Sequence, residues 1–204
     1  LDGYDVIETV AAQDWVKDNE VGMVGLSYPG NAALYAAATQ PPSLAAIAVG
    51  GTYDDGFRNL LRPSGMVNNG FAKNWITDRY KDAQPAAAGW AKRRIREGDA
   101  VCDLNQQMRE QNVDLTTRID TNEYFPEILG LGDSFAPATF VNRIKVPTFL
   151  VATWHDEQVG GHVPTMLANF TGTDEKRFVL TNGGHAEMFA VPDVIAGWDE
   201  FLDL

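Results

Sequence analysis

The chain is 204 residues long, enough for one domain with an insertion. Apolar residues make up 45% and charged residues 22%, and ten Phe, five Trp and six Tyr supply surface to bury, which excludes a disordered chain. Sixteen basic against 28 acidic side chains give a net charge of −12, which repels phosphate backbones and argues against a nucleic-acid partner. The longest apolar run, Ala45 to Val49, is far short of the roughly 18 residues of a membrane span, so no membrane partner is expected. Cys102 is alone, so neither an internal disulfide nor a cysteine-based metal cluster can form. The chain opens at Leu1 with no visible signal peptide, and the compartment stays undecided.

In chain order, residues 4–18 predict a helix with Ile7, Val10, Ala11 and Trp15 on one face and Asp2 or Asp5 as its cap. VGMVGLS, 21–27, lacks polar alternation and reads as a strand buried on both faces. PGNAALYAAATQ, 29–40, is a helix with Pro29 in its first turn, stopped by Pro41 and Pro42. SLAAIAVGG, 43–51, is a second buried strand. Residues 56–140 are polar and helical, too long for an ordinary connection, and read as an insertion into a core formed by 1–55 and 141–204. Within it, AAAGWAKRRIREGD and DLNQQMREQNVDL are amphipathic. KVPTFLVATW, 145–154, restores the strand pattern, HVPTMLANF, 162–170, is helical, KRFVLTNGG is a fourth strand and VPDVIAGWDEFLDL a closing helix. Alternating strands and helices predict an α/β fold with about four parallel strands flanked by helices.

Reactive groups in such sheets sit just past the carboxyl ends of strands. Gly25-Leu26-Ser27-Tyr28-Pro29-Gly30 places Ser27 on a sharp strand-to-helix turn, with the Tyr28 N–H next to it as an oxyanion donor. The generic pattern has glycine where Pro29 stands; here glycine comes one residue later. Trp154-His155-Asp156 ends the third strand, and an acid there can orient an imidazole, although the adjacent Glu157 fits the spacing equally. Asn182-Gly183-Gly184-His185 follows the fourth strand. Of the other two histidines, His155 abuts the acid, and His162 begins a helix as a surface or cap residue. Nucleophile, acid and base in the order Ser27, Asp156, His185 is the α/β-hydrolase order, and the insertion falls where such a fold carries a lid.

GLSYPG, the preceding WVKDNEVGM, the later IKVPTFLVATWHD and the NGGH loop resemble the hydrolase domain of the cocaine esterase and X-prolyl dipeptidyl-peptidase family of α/β-hydrolases, which includes α-amino-acid ester hydrolases. GFRNLLRPSGMVNNGFAKNW resembles the start of its helical cap. The family's elbow reads G-x-S-Y-x-G, which accommodates Pro29. The resemblance implies Ser27 as nucleophile, Asp156 as acid, His185 as base and the Tyr28 N–H as an oxyanion donor. It also implies a partial hydrolase domain: family members carry strands, with a second oxyanion donor, ahead of the first helix here, and a jelly roll at the other end. The strand bearing Ser27 is then expected at a sheet edge, covered by a second copy, another partner or rearranged local elements.

The expected activity is acyl transfer to serine from a small ester or peptide, such as an X-Pro dipeptidyl or amino-acyl bond, with no cofactor and no metal. Asp54 and Asp55, past the second strand, either attract an amine-bearing substrate or form a solvated turn. The competing expectation is a catalytically silent hydrolase-like domain that pairs through its exposed edge. A nucleotide-binding domain is disfavoured, since no G-x-G-x-x-G or P-loop lysine follows any strand.

Overall fold

The computed structural model describes residues 2–87, 89–108, 117 and 136–203. In chain order its main elements are α1 (Asp2–Ala11), β1 (Val21–Leu26), α2 (Tyr28–Ala38), β2 (Leu44–Gly50), α3 (Phe71–Asp82), α4 (Gly89–Arg96), α5 (Ala100–Gln107), β3 (Thr148–Thr153), α6 (Pro164–Leu167), β4 (Lys176–Thr181) and α7 (Pro192–Leu202). The chain divides into two compact units, Leu1–Leu60 with Leu131–Leu204, and Leu61–Gly130.

The first unit holds one parallel sheet in the order β1-β2-β3-β4. Successive side chains of a strand point to opposite faces, and both faces are covered along β2 and β3, whereas β1, expected to be buried on both faces, is mostly exposed or half-buried. Ile47, Val49, Leu150 and Ala152 join a core with Ile7, Leu34, Phe140 and Phe170. Ala48, Phe149 and Val151 point the other way, into a second core with Met188, Trp198 and Phe201. Val194, Trp198 and Phe201 recur at helical spacing along α7 and form its buried stripe. This double burial removes polar alternation from β2 and β3. Each fully buried Leu, Ile or Phe contributes about 1.5–3 kcal/mol. Among the described residues β1 is hydrogen-bonded only to β2 and lies at the sheet edge, where Val24 is 56% exposed.

Several elements are shorter than the sequence predicts, among them α1, α6 and β3. α1 ends at Ala11, so Trp15 lies outside the helix and is 76% exposed. The chain there reverses through Asp18 and Asn19, both at positive φ, and the Asn19 amide donates to the Ala11 carbonyl. α6 is a single turn, after which Phe170 drops into the core and Lys176 Nζ bonds the Phe170 and Thr173 carbonyls. β3 begins at Thr148, after Pro147. In the second unit, Asp99 caps α5 by accepting the Cys102 N–H at 2.9 Å and also binds Arg94 at 2.8 Å. Its carboxyl lies below the usual range, chiefly because of the Cys102 bond. Residues 109–115 of the second predicted insertion helix lie outside the described residues. Among the described residues no helix is long and apolar enough to cross a membrane.

Candidate active site

Ser27 separates β1 from α2 with φ 61° and ψ −122°. Such a conformation costs a non-glycine residue roughly 1–3 kcal/mol and persists only where neighbours enforce it. The Ser27 N–H donates to the Gly50 carbonyl of β2 at 2.8 Å, and the Ser27 carbonyl accepts from the Asn31 N–H at 2.9 Å and the Asn31 side-chain amide at 3.1 Å. Glycine is required on both sides of the turn. A Cβ on Gly25 would run into the backbone of Pro29 and Gly30, and one on Gly30 would stand 2.8 Å from the Gly25 carbonyl and 2.9 Å from that of Gly50. Gly30 is thus the residue packed against the end of the strand. Pro29, in the first turn of α2, has no N–H to leave unpaired. Tyr28 is the first residue of α2, so its N–H belongs to the helix's positive end, beside Ser27.

Asp156 follows β3 and is buried, 6% exposed. Its Oδ1 accepts the N–H groups of Gln158 and Val159, each at 2.9 Å, which locks the carboxylate into its own turn. Its Oδ2 lies 2.8 Å from His185 Nδ1. An anionic acceptor there makes Nδ1 the protonated ring nitrogen and leaves a lone pair on Nε2. His185 is 4% exposed, and its Nε2 is buried without a hydrogen-bond partner among the described residues. The ring lies against Gly51, at φ +59°: a Cβ there would stand 2.8 Å from His185 Cε1 and 3.0 Å from Leu26 Cδ1. The structure therefore joins Asp156 and His185 directly. Ser27 sits at the adjoining strand ends, next to Leu26 and bonded to Gly50, with no hydrogen bond to Nε2.

The sequence left Asp156 and Glu157 open as the histidine's partner. In the structure Asp156 binds the ring, and Glu157 accepts the main-chain N–H of His185 at 2.8 Å. That bond is the largest cause holding the Glu157 carboxyl below the usual carboxylate range. Glu187, which the sequence analysis did not single out, accepts the Gly184 N–H at 2.7 Å. Its signal was available in Gly183-Gly184-His185-Ala186-Glu187, a glycine pair with an acid close behind. Gly51 was likewise missed, although the Gly50-Gly51 pair at a strand end marks a close approach. His155 and His162 are exposed. Asp54 and Asp55 are buried and engaged. Asp54 accepts from the Asn59 amide and the Thr165 hydroxyl, and Asp55 from the Phe57 and Arg58 N–H groups and the Arg58 guanidinium. Among the described residues, no three His, Cys, Asp or Glu converge as a metal site.

Residues 1–187 match the family model described as X-Pro dipeptidyl-peptidase (S15 family). The chain belongs to this family. Both the S15 match and the fold carry the resemblance noted in the sequence. None of the curated proteins matches the sequence. Among solved structures, a CocE/NonD family hydrolase from Staphylococcus aureus is similar with a TM-score of 0.70 at 18% identity, over 98% of this chain and 31% of that one. An esterase from Pyrococcus furiosus gives 0.55 at 14% identity, over 100% of this chain and 60% of that one. An α/β fold family hydrolase from Bacillus anthracis gives 0.53 at 14%, over 98% and 71%. At these identities the likeness establishes a partial α/β-hydrolase fold, and this S15 chain spans about a third of the S. aureus enzyme.

Proposed function

We propose that this chain is the nucleophile-bearing part of a serine hydrolase, transferring acyl groups from esters or amides to water through Ser27, His185 and Asp156. The observation that carries this is the buried Asp156–His185 pair, whose Nε2 has no partner among the described residues and whose ring lies against Gly51, at the strand ends that also hold the strained Ser27 turn. His185 Nε2 takes the Ser27 proton as the hydroxyl oxygen bonds to the substrate carbonyl carbon. Asp156 holds the ring in the required tautomer and stabilises the imidazolium. The Tyr28 N–H donates to the oxyanion of the tetrahedral intermediate. His185 then returns its proton to the departing alkoxide or amine. Water, deprotonated by the same nitrogen, releases the acid and regenerates Ser27. The S15 description points to bonds after Xaa-Pro, and the P. furiosus neighbour is named an esterase. The insertion read from the sequence, residues 56–140, is proposed as the cap.

The test is turnover of p-nitrophenyl acetate and an Xaa-Pro p-nitroanilide. A pre-steady-state burst that disappears in Ser27→Ala supports the proposal, and turnover unchanged in Ser27→Ala overturns it. The edge of β1, unpaired among the described residues, favours a second role, an interaction domain that pairs through this strand with a second copy or another partner. A folded chain with no turnover of either substrate that self-associates, with the association lost in Val24→Lys, supports that role.

A further inference from the structure

The loop that carries His185 is held by more than the triad requires. Its imidazole is tied to Asp156, but a ring bond fixes only one end of a side chain whose main chain follows two glycines. Gly183 has φ +117°, and Gly-Gly segments carry more conformational freedom than any other pair. Two carboxylates offset that freedom. Glu187 Oε2 accepts the Gly184 N–H at 2.7 Å, and Glu157 Oε2 accepts the His185 N–H at 2.8 Å. Both carboxylates lie close against the loop. A Cβ on Gly183 would stand 2.7 Å from Glu187 Oε2, and one on Gly184 2.8 Å from Glu157 Oε2. The adjacent acids Asp156 and Glu157 thus grip one histidine at two points, ring and main chain.

We propose that Glu157 is a positioning residue for His185: by accepting its main-chain N–H, Glu157 fixes the base of the side chain so that Asp156 can set the ring, and Nε2 is aimed without help from the substrate. This deepens the serine-hydrolase proposal and rests on it only for the consequence in rate. Glu157 touches no reacting atom. Its removal leaves ground-state binding intact and misplaces the base, the kind of error of about 1 Å that costs up to roughly 10²-fold in rate.

The experiment compares Glu157→Ala, Glu157→Gln and the unaltered chain in p-nitrophenyl acetate turnover and in amide hydrogen exchange resolved at His185. The expected result is a kcat lower by about 10- to 100-fold in Glu157→Ala, with KM within about twofold. The His185 amide should lose its exchange protection in the same variant. Glu157→Gln, whose side-chain oxygen still accepts, should restore kcat to within about threefold and recover the protection. An unprotected His185 amide in the unaltered chain overturns the proposal, as does a kcat or an exchange rate unchanged in Glu157→Ala. A Glu157→Gln as impaired as Glu157→Ala overturns it too. Protection lost in Glu157→Ala and regained in Glu157→Gln, in a chain that turns over neither p-nitrophenyl acetate nor the Xaa-Pro p-nitroanilide, supports the hold and overturns the serine-hydrolase reading instead.

Discussion

Replacing Asp156 by Asn tests the catalytic geometry with little disturbance of the fold, and the structure dictates how the amide must lie. Oδ1 is fixed by two main-chain donors, Gln158 and Val159, each at 2.9 Å. In Asp156→Asn the amide oxygen has to take that position, because an NH2 group facing two N–H donors would leave all of them unpaired in a buried turn, at roughly 1–3 kcal/mol each. The NH2 group then faces His185 Nδ1, 2.8 Å away. Nδ1 becomes the acceptor, the ring proton moves to Nε2, and the nitrogen that should take the Ser27 proton already carries one. The expected loss in kcat is about 10⁴-fold, the magnitude of a wrong-tautomer histidine. Stability changes little, since every hydrogen bond is kept. Asp156→Ala separates the two effects, losing the same activity and also roughly 1–3 kcal/mol of stability, because a buried and a partly buried N–H group lose their acceptor. The assays are p-nitrophenyl acetate turnover, urea denaturation, and nitrogen-15 NMR of the His185 ring. An Asp156→Asn variant that keeps activity within tenfold of the unaltered chain, or keeps the proton on Nδ1, refutes the reasoning.

Gly51→Ala places a methyl 2.8 Å from His185 Cε1 at a backbone with φ +59°, and is expected to cut kcat by about 10²-fold, while Gly98→Ala, with φ +90° and open space around it, bears the backbone strain alone and leaves activity unchanged. Asp54→Asn and Asp55→Asn are expected to lower stability without altering the ratio of amino-acyl to simple acyl ester turnover, because both carboxylates are buried and already engaged; a shifted ratio would show that they meet the substrate. The Glu157 carboxyl is held below its ordinary value by the His185 N–H, so the contribution of that bond is fully present above the unfolded value near 4.3 and is lost as pH falls through the lower folded value. Asp156, His185 and Glu187 are its titratable neighbours. The protection of the His185 amide, followed from pH 6 down to about 3, should therefore stay constant through pH 4.3 and weaken below it toward the level of Glu157→Gln, whose uncharged oxygen also accepts; weakening already above pH 5 would contradict the assignment.

The parallel sheet was legible because burial on both faces leaves an unbroken apolar run, and β2 and β3 carry one each. The strand-to-helix turn was legible through its punctuation: Gly25, Ser27 and Gly30 stand where strand, turn and helix must come within contact, and the displaced glycine is the residue packed on Gly25 and Gly50. Trp15 misled because helical spacing continued past Ala11, whereas the turn is set by Asp18 and Asn19, whose positive φ gives no periodic signal. The choice between Asp156 and Glu157 lay beyond the sequence, since adjacent acids differ only in the direction that the turn at Gln158 and Val159 gives them. Gly51 and Glu187 act through space on a histidine far from one and near the other in sequence, and only the packed structure brings them to its ring and loop.

Intact-mass and peptide-level detection of fluorophosphonate adducts tests the central claim most directly. The account predicts one adduct, on Ser27, absent from Ser27→Ala and strongly slowed in His185→Gln. A folded chain that takes no adduct, or one labelled on a different residue, would contradict it.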